Sequence, residues 1–120
     1  METTPHILPA YGSHDEFSAQ IERVETLVFN ALLMPRDGAA PYGARAVIVS
    51  RTAAGQHWLR VCEGADERWM RWTEQRRLRM QFGETYAEAL AQAWIARWER
   101  EGWQVEWSQR RDALPAEAAA

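Results

Sequence analysis

The chain has 120 residues, 47 % of them apolar and 26 % charged, with a formal net charge of −3. That length and balance describe one modest globular domain and exclude a membrane span, which needs about 20 consecutive apolar residues. A net acidic chain also has a weak general affinity for phosphate backbones.

The N-terminus METTPHILPAYGS has neither the basic region nor the apolar core of a secretory signal, so a cytoplasmic address is expected. A single cysteine, Cys62, leaves no internal disulfide and fits a reducing compartment. All 14 basic residues are arginine, which a GC-rich bacterial genome explains most simply. Each is nonetheless a planar fork that can stack on an aromatic ring or grip a carboxylate at two points.

Residues 1–12 mix Pro, Thr and Gly without periodicity and read as a disordered tail. Ser13 and Glu16 form an S-x-x-E capping box, which opens a helix expected to run to about Met34. Its core stripe is Phe17, Ile21, Val24, Val28, Ala31 and Leu32, with Leu27 at its margin. Phe29 and Leu33 are i, i+4 neighbours well off that stripe, and Met34 lies off it on the other side. The Pro- and Gly-containing segment MPRDGAAPYG ends the helix.

Two β-rich runs follow, ARAVIVSRT from Ala44 and HWLRVCEG from His57, joined by a turn at AAGQ. The next stretch, ERWMRWTEQRRLRM, favours helix by propensity, yet its apolar residues form no helical stripe. Leu78, Met80 and Phe82 alternate with Arg77, Arg79 and Gln81, which predicts two strands, about 67–73 and 76–82. Thr85 and Glu88 repeat the capping-box pattern and open a helix from about Tyr86 to Glu101, stopped by Gly102. Its face carries Ala87, Leu90, Ala91, Trp94, Ile95 and Trp98. A last strand, WQVEWSQ, alternates Trp103, Val105 and Trp107 against polar residues, and residues 110–120 read as a frayed tail.

The expected fold is therefore α+β in the order α-β-β-β-β-α-β. An antiparallel sheet of four to five strands would carry two helices packed on one face, within a single domain of residues 13–109.

Chemistry is sparse. His6, His14 and His57 have no partner at metal-ligand spacing. Cys62 and His57 are five apart, so one unbroken strand would point them to opposite faces, and a structural cysteine is expected. There is no Gly-rich phosphate loop, no G-x-S-x-G and no H-E-x-x-H. A non-enzymatic protein without cofactor or metal is the reading, unless a small-ligand or catalytic site is built from scattered residues.

Binding surfaces are better marked. Seven tryptophans are many for this length, and tryptophan and arginine dominate the energetics of protein interfaces. Trp94, Trp98, Trp103, Val105 and Trp107 are assigned to the core. Trp58 and Arg60 share one strand face, as do Trp69 and Arg71. Trp69 and Trp72, three apart, must point to opposite faces, so one of them belongs on the outer surface. The second apolar face at Phe29 and Leu33 needs cover from the loop Arg36–Gly43, a second copy or another protein. These six residues, Phe29, Leu33, Trp58, Arg60, Trp69 and Arg71, are the candidate protein contacts, and a homodimer is expected. A single-stranded nucleic-acid surface built from Trp and Arg is the alternative.

The size, the helix SHDEFSAQIERVETLVFNALL and the Trp-rich strand-helix-strand end resemble, over about residues 13–109, the small bacterial quorum-sensing anti-activators of the QslA type. The resemblance implies a factor that sequesters a LuxR-type transcription regulator and blocks its dimerisation or DNA binding. It assigns no individual contact residue.

Overall fold

The computed structural model describes residues 8–36 and 43–110. His6, most of the expected tails 1–12 and 110–120, and most of the loop Arg36–Gly43, one of the candidate covers for the first helix, lie outside them. The elements are β1 (Tyr11–Gly12), α1 (His14–Glu22), β2 (Thr26–Pro35), β3 (Ala44–Arg51), β4 (His57–Asp66), β5 (Trp69–Arg77), α2 (Glu84–Arg100) and β6 (Trp103–Arg110). The α+β class stands, with six strands in the antiparallel order β1-β5-β4-β3-β2-β6. Two strands are unexpected: β1, formed by Tyr11 and Gly12 from the segment expected as a tail, and β2, from the segment expected as the second half of the first helix.

The capping box is present: Glu16 N–H donates to Ser13 Oγ at 3.0 Å and Ser13 N–H to Glu16 Oε1 at 2.8 Å. The helix it opens stops at Glu22, however, and residues 26–35 form a strand rather than a continuation to Met34. Val24, assigned to the helical stripe, is 52 % exposed at the turn. From Val28 to Leu33 every residue is buried. A strand covered on both faces reads as a near-continuous apolar run, here interrupted by the buried Asn30, and periodicity cannot tell such a run from a helix.

The two helices lie on opposite faces of the sheet, not on one. Phe17 of α1 packs with Leu32, Ala44, Ala46, Cys62 and Met70. Ala87, Ala91, Ile95 and Trp98 of α2 pack with Phe29, Ala31, Leu33, Val47, Val49, Leu59 and Val61. Handedness requires this split. Counting antiparallel neighbours, β1 runs parallel to β2 and β5 parallel to β6, so each helix is a crossover between parallel strands. Both crossovers travel the same way across the sheet, but β1 and β5 are antiparallel. Right-handed connections then place α1 and α2 on opposite sides. At 17 residues, α2 is about 25 Å long, enough to span the roughly 19 Å from β5 to β6.

Three local readings change with the register. The expected strand 76–82 does not form, because β5 ends at Arg77 and the chain turns before α2. Leu78 is buried and Phe82 packs on the core, while Met80 is 57 % exposed. The second capping box is not used either: α2 starts at Glu84, with Gly83 as its N-cap and no side-chain bond. In β6, Leu33 pairs with Val105 but Leu32 with Trp107, so Glu106 is an extra residue. That bulge turns Trp107 onto the α1 face. Trp103 is buried, whereas Val105 and Trp107 are 38 % and 43 % exposed, against their assignment to the core.

Candidate functional site

The six candidate contacts separate into three places. Phe29 and Leu33 are 5 % and 0 % exposed on β2, inside the core under α2. The protein's own helix covers them, which removes the physical argument for a dimer built on these two side chains.

Trp58 and Arg60 lie on the α1 face, and Arg60 is only 3 % exposed. Its Nη1 donates to Glu25 Oε1 at 3.1 Å and to Ser50 Oγ at 2.9 Å, and its Nε donates to Gln75 Oε1 at 3.1 Å. Ser50 Oγ in turn donates to Glu25 Oε1 at 2.6 Å. The guanidinium rests on the half-buried Trp58 ring, 4.7 Å from its centroid. Arg60 is thus the centre of an internal ion cluster that ties the α1–β2 turn to β3, β4 and β5, and it is unavailable to a partner.

Trp69 and Arg71 lie on the opposite face and are exposed. Met70 between them points into the core beneath α1, so alternation sends its neighbours to the other side. Trp72 also faces α1, stacked on Phe17 at 4.1 Å, with its Nε1–H donating to Pro9 O at 3.1 Å. Of the opposed tryptophans, Trp69 is therefore the outer one, 59 % exposed. Its ring stacks on Tyr11 at 5.1 Å with an interplanar angle of 3°. Tyr11 is itself 52 % exposed and is the cross-strand partner of Arg71. Because α2 packs over β3, β4 and β6, it leaves this edge of its face bare. Tyr11 falls in the segment expected as a tail, and no pattern in the sequence points to it.

Unpaired arginines run along β5 and the turns at its two ends, and Arg71 is the one across from Tyr11. Arg68, Arg71, Arg76, Arg77 and Arg79 form no ion pair among the described residues, while Arg45, Arg51, Arg60, Arg97 and Arg110 each do. An exposed aromatic pair with the Arg71 guanidinium beside it can stack planar groups and pair with carboxylates or phosphates.

Cys62 is not placed as a nucleophile. Cys62 is fully buried under α1, and burial, reinforced by Glu63, pushes its thiol up to about 12. That is far from a thiolate at neutral pH. His57 sits on the other side of the sheet, near Glu84 of α2. Among the described residues no group of His, Cys, Asp and Glu could hold a metal, and no helix is long and apolar enough to cross a membrane.

His57 has a different consequence. It is 5 % exposed and neither ring nitrogen has a hydrogen-bond partner. Burial lowers its pKa; Glu84 opposes that shift and Arg51 adds to it. The unfolded chain, titrating at the ordinary value of about 6.5, therefore binds more protons just below that pH than the folded one. Stability is retained above about pH 6.5 and falls as the pH drops towards the lowered value. In urea unfolding at pH 7 and pH 5, the parent should lose more stability than His57→Leu. Equal losses would show that His57 is not the acid-sensitive group.

Compared with known proteins, the chain matches no protein-family model, no curated sequence and no solved structure.

Proposed function

We propose that this is a non-enzymatic binding protein whose contact surface is the Tyr11–Trp69 stack with Arg71 beside it. The observation that carries the reading is the pairing of two large coplanar rings, both more than half exposed, on a part of that face that α2 leaves uncovered. Such area is unfavourable in water, and aromatic and arginine side chains dominate binding energy when an interface closes over them. The role implied by the family resemblance, sequestering a LuxR-type transcription regulator, is the partner class we put forward.

The test uses the full chain and its Trp69→Ala variant as paired baits in native lysate, with captured proteins quantified by mass spectrometry. One transcription regulator should be captured by the parent. Trp69→Ala should weaken that binding by about 2 kcal/mol, roughly thirtyfold, with an unchanged thermal melt. Equal capture by both baits would refute the assignment of the surface.

The unpaired Arg71 beside the ring stack favours a second reading, a single-stranded nucleic-acid surface on which bases stack. It requires retention of single-stranded oligonucleotides that weakens steeply with salt. A protein contact centred on the ring stack depends much less on salt.

A further inference from the structure

On the opposite face from Trp69, a cavity of about 650 Å³ opens between the start of α1, the end of β2, β6 and the β4–β5 turn. Its walls are His14, Asp15, Leu32, Met34, Glu67, Glu106 and Trp107. That volume lies in the usual range for small-molecule sites, about 300–1,000 Å³. The β6 bulge builds it, since the extra residue Glu106 turns the Trp107 ring towards His14, 5.6 Å away edge to face.

The chemistry of the walls is one-sided. Asp15, Glu67 and Glu106 form no ion pair among the described residues, and no basic side chain except His14 lines the cavity. His14 is only 6 % exposed. Asn30 donates through Nδ2 to Ser18 Oγ at 2.9 Å, so its Oδ1 accepts from His14 Nε2 at 2.7 Å. In that tautomer Nδ1 is an acceptor, and it has no donor among the described residues. Three carboxylates, an imidazole acceptor and an indole face together lack one thing, a cation bearing N–H donors.

We infer that this cavity is a binding site for an organic cation, an alkylammonium or guanidinium group held against the Trp107 ring and paired with Glu67 and Glu106. Cations are attracted to indole faces within about 6 Å, more strongly when partly desolvated. The apolar walls at Leu32 and Met34 accept the carbon chain that carries the charge. The cation is either a free amine or guanidine, or the side chain of a basic residue in a partner's segment.

Both sources are tested on the full ¹⁵N-labelled chain, following the Trp107 indole N–H resonance, which is assigned by its loss in Trp107→Phe. One titration uses arginine amide and spermidine; the other uses a short arginine-containing peptide with blocked ends. Acetylglutamate serves as the anionic control. A saturable shift of the Trp107 resonance by the small cations assigns a free ligand, and a shift by the peptide alone assigns a partner side chain. In either case Glu67→Gln with Glu106→Gln should weaken binding at least tenfold without changing the melting temperature. No shift in either arm, a shift matched by acetylglutamate, or undiminished affinity in the double variant would overturn the inference. Because Trp69 lies on the other face, Trp69→Ala should leave this binding intact, which separates it from the protein-contact reading.

Discussion

Arg60→Ala is expected to destabilise the fold by about 3–5 kcal/mol, the usual consequence of removing one partner from a buried ion pair. Arg60 and Glu25 have side chains 3 % and 6 % exposed, so solvent screens their interaction little. Removal of the guanidinium leaves a buried carboxylate with Ser50 as its remaining donor. It also leaves Gln75 Oε1 and the face of Trp58 without their shared cation. The pair itself need not be strongly stabilising, because desolvation of two charges offsets most of their attraction. Arg60→Met combined with Glu25→Leu should therefore recover most of the loss. Urea unfolding of the two single variants and the double measures both statements. A single variant within about 1 kcal/mol of the parent would mean that water reaches the cluster.

Arg60 also shows where the sequence is legible and where it is not. Alternation along β4 correctly groups Trp58 with Arg60 and Cys62 and sets Leu59 and Val61 opposite. What alternation leaves open is whether that face is covered. The cover comes from Glu25, 35 positions away, in a turn that the sequence reading places inside a helix. One signal was available: an arginine between Leu59 and Val61 in an apolar strand implies a buried partner. Misplacing β2 has the same root, since its near-continuous apolar run, interrupted by Asn30, satisfies helical and strand patterns equally. The amphipathic helix α2 and the start of α1 at the Ser13–Glu16 box were read correctly, although the Thr85–Glu88 box is not used. So was the opposition of Trp69 and Trp72, which follows from parity alone. The bulge at Glu106, a one-residue insertion without a sequence marker, is what parity could not anticipate for Trp107.

The candidate surface depends on a second unmarked feature. At Gly64, beside the β4–β5 bulge, an added Cβ would lie 1.9 Å from Trp69 O and 2.7 Å from Met70 Cα. These are backbone atoms, so no side-chain rotation relieves the contact, and β5 must move away from β4. Gly64→Ala is expected to destabilise the protein by about 3 kcal/mol, the upper part of the range for forced overpacking. The displacement falls on the peptide that orients Trp69, so the Tyr11 stack should separate as the hairpin opens. Gly83→Ser is the matching control, because nothing lies within 4 Å of a Cβ there. At that N-cap position it should change stability by only a few tenths of a kcal/mol. Thermal melts of both variants, read with the aromatic circular dichroism that reports stacked rings, test the pair of statements. A Gly64→Ala protein that melts like the parent and keeps its aromatic signal would show that β4 and β5 can part locally. Trp69 would then be held by its stack on Tyr11 rather than by the close approach of the two strands.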